Sequence, residues 1–211
     1  MQRTILISGA SRGIGRAIAE KLFLEGHNLS LGVRQTESLK KTILDPEISG
    51  NEKLLVHKYE ATNQRSAELW VSNSIKKFRS IDTIIHCAGI FNKVGLLFKE
   101  EEESHINTLW ETNLKGPWYL TKAAWEQLSL HGHGRIIVIV SMSGKRSKGN
   151  LAGYCMSKFA LMGLCQTMRN EGWEQGIRVS TISPGWVNTD MAANISSIEK
   201  DDMTQPSDLA N

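Results

Sequence analysis

Three residues in the stretch "SMSGKRSKGNLAGYCMSK", residues 141 to 158, have the types needed to move a proton: Ser141, Tyr154 and Lys158. Tyr154 and Lys158 are four apart in a segment predicted to be helical, so both side chains project from one face. A phenol with a pKa of about 10 is a poor acid or base at neutral pH, and an adjacent ammonium favours the phenolate and lowers that value. Ser141 closes a predicted strand, where its hydroxyl can hydrogen-bond an oxygen that gains charge during a reaction. Ser143 points the same way if the segment is extended, and is a rival for that role. Each residue also has an ordinary use: serines after strands are turn or cap residues, and Tyr and Lys at helical spacing decorate many helices. A nucleophilic serine is not supported, because the chain has no GxSxG elbow and neither Ser141 nor Ser143 begins an SxxK motif.

The elements that must position these groups alternate regularly. "RTILISG" is an apolar strand ending in glycine, and "IGRAIAEKLFLEG" follows with Ile14, Ile18 and Leu22 at helical spacing. "NLSLGV" reads as a strand, "TESLKKTIL" as a short helix with Thr36 as its cap, "KLLVHKY" as a strand and "NQRSAELWVSNSIKKF" as a helix. The strand "IDTIIHCAG" leads into a long helical pattern in which Pro117 should cause a bend or break. The acidic run Glu100 to Glu103 marks the start of that pattern, where the helix dipole favours carboxylates. "GRIIVIVS", a helix through Tyr154 and Lys158, and the strand "IRVSTISPG" complete the series. Strands alternating with helices predict a doubly wound α/β domain: a Rossmann-type parallel sheet covered on both faces, with residues 1 to 211 as a single unit.

"SGASRGIGRAI" places Gly9, Gly13 and Gly15 between the first strand and the first helix. Glycine is needed there because the backbone must turn sharply and approach a diphosphate closely, while amides at the helix N-terminus meet the negative charge. The end of the second strand meets the adenosine ribose in such folds, and an acid at that point binds its 2′-hydroxyl. Val33 takes the acid's place and Arg34 follows it. A guanidinium suits a 2′-phosphate, so NADP(H) is favoured over NAD(H). The cationic nicotinamide of the oxidised cofactor would add to the lowering of the Tyr154 pKa.

The spacing GxxxGxG resembles that of the short-chain dehydrogenase/reductase family, and the resemblance runs from Arg3 to about Asp208. Its motifs fall in order: the glycine turn, "HCAG" at 86 to 89, Asn113 in "ETNLKG", Ser141, "YCMSK" from Tyr154, and "SPGWVNTDM" from Ser183. The resemblance implies that Asn113, Ser141, Tyr154 and Lys158 are the catalytic set, with Asn113 positioning Lys158 through water. The family interval between its serine and tyrosine favours Ser141 over Ser143. It also implies cofactor contacts from Gly9, Ser11, Arg12, Gly13, Ile14, Gly15, Arg34, Glu60, Ala88, Gly89, Tyr154, Lys158, Pro184, Gly185, Val187 and Thr189. Lys158 would hold the nicotinamide ribose, Arg12 would face the 2′-phosphate corner, and Val187 with Thr189 would place the carboxamide. Three positions depart from the family pattern: His86 and Cys87 stand where asparagines are usual, and Glu60 stands where an aspartate is usual. His86, ending a buried strand, is no candidate base.

The implied activity is hydride transfer between nicotinamide and a carbonyl or alcohol, with a 3-oxoacyl thioester reductase as the first narrower expectation. A small-ketone or aldehyde reductase, or a catalytically silent nucleotide-sensing regulator, are the alternatives. A regulator is expected to have lost Tyr154 or Lys158, and both are present. Lys145, Arg146 and Lys148 lie between Ser141 and Tyr154; they read either as a solvated loop or as an attraction for an anionic substrate.

Composition narrows the remaining classes. With 40% hydrophobic and 22% charged residues the chain is expected to fold rather than stay disordered, and a net charge of +3 from scattered residues is too small to make a nucleic-acid-binding face. Cys87, Cys155 and Cys165 lack CxxC or metal-type spacing, which points to reduced thiols, no metal site and a cytoplasmic setting. No run of about eighteen apolar residues is present, so no membrane span is expected. The expected partners are therefore a small-molecule or acyl-thioester substrate and further copies of the chain, as a dimer or tetramer. Relatives usually continue past "QPSDLA" with a helix and another strand, and that final strand is expected to be missing here.

Overall fold

Six short segments, β1 (Thr4–Ser8), β2 (Asn28–Val33), β3 (Leu54–Lys58), β4 (Thr83–His86), β5 (Arg135–Ile139) and β6 (Arg178–Ile182), pair in parallel in the order β3-β2-β1-β4-β5-β6. They belong to a computed structural model that describes residues 2–50, 52–194, 196 and 198–211. The strand order turns back between β1 and β4, and the crevice beyond the carboxyl ends of strands at such a point is where ligands bind in open α/β sheets. The register puts Ser8 beside both Gly32 and His86. Gly9, Val33 and Cys87 therefore leave the sheet along one edge.

Both faces of the sheet are buried. Leu6 packs with Trp70, Ile84, Leu120, Ile136 and Leu161, whereas Ile5 and Ile7 pack with Ile18, Leu29, Leu31 and Ile85, as the two-residue period of a strand requires. On the first face lie helices α3 (Gln64–Phe78), α5 (Gly116–Ser129) and α6 (Ala152–Gly172), and on the second lies α1 (Gly13–Leu24). The short terminal helix α7 (Pro206–Ala210) lies against α1, with Lys21 Nζ donating to Asn211 Oδ1 at 2.8 Å.

Two segments differ from the sequence-based expectation. Residues 36–44 do not form one helix; a 3₁₀ turn (Thr36–Leu39) is followed by a separate turn of helix, α2 (Pro46–Ser49). Asp45 accepts from the amides of Lys41 and Glu47, at 2.8 and 3.0 Å, and the Thr42 hydroxyl donates to the Leu39 carbonyl. Such local side-chain bonds compete with helix, and Pro46 disfavours helical backbone at Asp45. Pro117, in contrast, does not break its helix. Between α4 (Glu103–Trp110) and α5 the chain winds through a π-helical turn, Glu111–Lys115. Pro117 has no N–H for the carbonyl of Asn113, four residues earlier, and the wider turn absorbs that missing bond. Asn113 sits in the widened turn. The acidic run forms a 3₁₀ turn, Glu100–Glu102, that leads into α4 at Glu103, with the Lys99 amide donating to Glu102 Oε2 at 2.8 Å.

Gly32 in β2 is set by Trp70. A β-carbon there would lie 2.5 Å from the indole, which is fully buried and donates from Nε1 to Ser30 Oγ at 2.8 Å. Gly32→Ala is expected to cost about 2 kcal/mol of stability through overpacking. Thermal unfolding tests this: an unchanged midpoint would mean that the indole is free to shift.

Candidate active site

The glycine turn takes its shape from close backbone approaches. Gly9 has φ of +71°, and a β-carbon on it would lie 2.7 Å from the Ala88 amide nitrogen. Gly15 faces the Gly9 carbonyl with no room for a side chain. Gly13, with φ of +57°, opens α1, and Arg12 at its N-cap makes no capping bond. The first turn of α1 carries no acidic residue. Its amides lack helical partners and are available to an anion.

A cleft of about 440 Å³ runs along this turn. It is lined by Gly9, Ser11, Arg12, Gly13, Ile14, Gly15, Arg34, Glu60, Ala88 and Gly89, all expected as cofactor contacts. Arg12 Nη1 is 3.0 Å from Asp190 Oδ2, and both side chains are largely exposed. Arg34 is exposed and has no polar partner among the described residues, and the buried Val33 beside it takes the strand-end position at which an acid would meet the ribose.

A second cavity, about 540 Å³, continues from the first through Ile14, Cys87, Gly89 and Thr189. Ser141, Tyr154, Lys158, Pro184, Gly185, Val187 and Thr189 line it. Tyr154 and Lys158, in the first turns of α6, are 7% and 5% exposed. Lys158 Nζ lies 5.7 Å from the Tyr154 ring centroid and donates to the Ile139 carbonyl at 3.5 Å.

Asn113 lines neither cavity. Fully buried, it accepts from the Ile90 amide at 2.9 Å and donates to the Ile90 carbonyl and Ser157 Oγ, at 3.0 and 3.1 Å. It thereby ties the loop after β4 to α6. A β-carbon on Gly89 would lie 3.3 Å from Asn113 Oδ1 and 3.6 Å from Lys158 Nζ, so Asn113 and Lys158 flank the same glycine.

The electrostatics differ from expectation at one point. Burial pushes the Tyr154 phenol above its ordinary pKa, opposed by a hydrogen bond with Ser141, and the Lys158 ammonium does not lower it. Lys158 is itself brought down to about 8 by burial. Desolvation disfavours the charged form of each group. His86 is a structural residue: it is 2.9 Å from the Thr121 hydroxyl, and burial holds it neutral by lowering its pKa to about 3. Cys87 is pushed up to about 12 by burial and stays a thiol.

Some lining residues were not anticipated. Phe91 stacks edge-on against Tyr154, with centroids 4.9 Å apart and an interplanar angle of 78°. Trp186 lies 5.4 Å from Lys148 Nζ in the second cavity. Asp190 meets Arg12 across 178 residues of sequence. Trp186 and Asp190 both lie inside "SPGWVNTDM", the one signal the sequence carried for them. Of the basic loop, Arg146 and Lys148 line the second cavity and Lys145 does not.

A parallel sheet with a glycine turn opening onto a cleft at its strand reversal defines a dinucleotide-binding α/β fold. A profile described as short chain dehydrogenase matches residues 3–200, and the chain belongs to that family. An agropine synthesis reductase of Rhizobium rhizogenes is 38% identical over 207 residues, covering 98% of this chain and 47% of that protein. This chain therefore spans about half the length of that relative. The 3-oxoacyl-(acyl-carrier-protein) reductase of Escherichia coli is 33% identical over 191 residues, covering 90% of this chain and 76% of that one. An alcohol dehydrogenase from the archaeon Thermococcus sibiricus, solved with 5-hydroxy-NADP, superposes with a TM-score of 0.87 at 28% identity, over 100% of this chain and 88% of that one. Among the described residues no group of three or more His, Cys, Asp or Glu could hold a metal, and no helix is long and apolar enough to cross a membrane.

Proposed function

We propose that the chain is an NADP(H)-dependent carbonyl reductase or alcohol dehydrogenase, with residues 1 to 211 as one cofactor-binding unit. One observation carries this reading: Ser141, Tyr154 and Lys158 meet at one end of a continuous trough whose other end is the glycine turn. The trough fits a dinucleotide. The α1 amides and glycine turn suit the diphosphate, and Arg34, free of any acid beside it, suits a 2′-phosphate. Arg12 lines the same cleft, paired with Asp190. When bound, the cofactor supplies or accepts the hydride.

The chain's own residues handle the proton and the developing charge. The Ser141 hydroxyl donates to the substrate oxygen as negative charge builds there. Tyr154, kept protonated at neutral pH by its burial, gives its proton to that oxygen. Lys158 would hold the nicotinamide ribose hydroxyls of a bound cofactor, while Asn113 fixes the backbone beside Lys158.

A 3-oxoacyl thioester is the first narrower substrate, supported by the Escherichia coli relative. A small ketone or aldehyde is the second. A silent nucleotide sensor is disfavoured by the intact Ser, Tyr and Lys. Exposed Trp118, Met156 and Phe159 on α5 and α6 support a homo-oligomer, and the free thiols Cys87, Cys155 and Cys165 support a cytoplasmic setting. Turnover of a carbonyl panel with NADPH and with NADH tests the assignment. Reduction is expected with NADPH, at least about tenfold better in kcat/KM than with NADH, since one charge-assisted contact is worth that much. Binding of NADPH without turnover of any carbonyl would favour the sensor.

Lys158 makes cofactor binding pH-dependent. Binding favours the protonated amine, so the cofactor raises its pKa above the free protein's value of about 8. Affinity for NADPH should then be level below about pH 7 and weaken above about pH 8, approaching tenfold per unit. In Lys158→Arg, whose guanidinium stays charged, this decline should vanish. Calorimetric titration of the wild type and Lys158→Arg between about pH 6 and 9.5 decides the point, because the comparison cancels the other groups that change charge in that span.

A further inference from the structure

We infer that the second cavity holds an anion subsite, built from Arg146 and Lys148 beside Trp186, which selects carbonyl substrates carrying a distal oxyanion group. This deepens the reductase reading and rests on it.

Among the described residues, the charged ones lining this cavity are Arg146, Lys148 and Lys158, and none is acidic. The adjoining cleft differs, because Glu60 and Asp190 line it. Arg12, Arg65 and Lys115 are each matched, with Asp190, Glu68 and Glu111, whereas Arg34 in the adjoining cleft has no carboxylate partner among the described residues. Arg146 has no side-chain partner among the described residues, and Lys148 has only the Trp186 ring. Two unpaired cations at the mouth of a cavity raise the local concentration of an anion and reward one that binds.

The loop's root is fixed while its side chains are not. The amides of Lys145 and Arg146 both donate to the Met142 carbonyl at 3.0 Å. Gly144 is packed so closely that a β-carbon would lie 2.7 Å from Val140 and 2.9 Å from the Lys158 carbonyl oxygen. Arg146 is thus held beside Ser141, on a segment that cannot swing away without disturbing Lys158. Phe91, Leu151, Val187 and Met191 give the rest of the wall an apolar character. A ligand complementary to this lining has a carbonyl near Tyr154, an apolar stretch, and a carboxylate or phosphate toward Arg146 and Lys148. The oxyanion can belong to a small keto acid or to the phosphate of a pantetheine thioester.

Two matched substrate pairs test this: a medium-chain keto acid against its methyl ester, and acetoacetyl-pantetheine against its 4′-phosphate. In the wild type at low salt, kcat/KM for the charged member of at least one pair should exceed that of its neutral member by about tenfold. The pair that discriminates identifies the source of the anion. In the Arg146→Gln/Lys148→Gln variant the ratio should fall to about one, and about 0.5 M salt should reduce it in the wild type. Lys145→Gln, outside the cavity lining, should keep it. Calorimetry of a saturated, non-reducible carboxylate on the NADP complex gives a readout independent of turnover: binding in the wild type and its loss in the double variant are expected. A ratio of about one in the wild type for both pairs, or a ratio that survives in the double variant, would overturn the subsite. If no carbonyl is turned over at all, the reductase reading fails, and the carboxylate titration alone decides the subsite.

Discussion

Tyr154→Phe is expected to lower kcat for carbonyl reduction by about a thousandfold, within the range for removal of a general acid, while NADPH affinity stays within about twofold. The substitution removes one oxygen and little else. The ring that stacks on Phe91 and lies 5.7 Å from the Lys158 ammonium is retained, so the cavity keeps its shape. What is lost is the proton that the reduced oxygen must receive, together with the Ser141 hydrogen bond. The raised phenol pKa sets the direction of the pH dependence. Reduction needs the protonated phenol, and so is sustained at neutral pH and falls as pH rises through its pKa; alcohol oxidation needs the phenolate and rises over the same range. Residual kcat within about tenfold of wild type would remove Tyr154 from the chemistry.

Gly9→Ala is the second large effect, and it acts on binding and stability together. The methyl group would meet the Ala88 amide nitrogen at 2.7 Å, and the left-handed φ of +71° penalises any side chain. The atoms it would meet, in Ala88 and Cys87, are all backbone and cannot swing aside as a flexible side chain could. Conformational strain of about 1–2 kcal/mol and overpacking of about 1–3 kcal/mol sum to roughly 3 kcal/mol of lost stability. The loop after β4 must also move, and with it Gly89 and the floor beneath both cavities. We expect NADPH binding to weaken by at least about a hundredfold, since diphosphate recognition rests on backbone placement. Denaturant unfolding and cofactor titration of the same preparation check the two effects. Wild-type values in both would show that the turn is looser than its contacts indicate.

The sheet was legible in the sequence because each strand is a short apolar run bounded by glycine or polar residues, and the helices between them repeat with the right period. The cofactor-binding turn was legible for a related reason: only glycine permits the approaches found at Gly9 and Gly15, so its chemical requirement is written as residue identity. Elsewhere the structure depends on partners that spacing does not reveal. Asp45 redirects residues 36–44 through bonds to Lys41 and Glu47, which no apolar periodicity encodes. Pro117 signals disruption but not its form; the π-helical turn that accommodates it also seats Asn113. The upward shift of Tyr154 follows from burial, which depends on how Phe91 and the loops close over it. The Arg12–Asp190 pair joins the two ends of the chain, and the separation of Lys145 from its basic neighbours at the cavity is a matter of loop path alone.

The account predicts direct hydride transfer to a substrate carbon held at Ser141, Tyr154 and Lys158. With NADPH deuterated at the transferring position, wild-type product should carry one deuterium per turnover on its carbinol carbon, and the Tyr154→Phe protein should form almost none. Product formed at wild-type rates without the label on that carbon would contradict it.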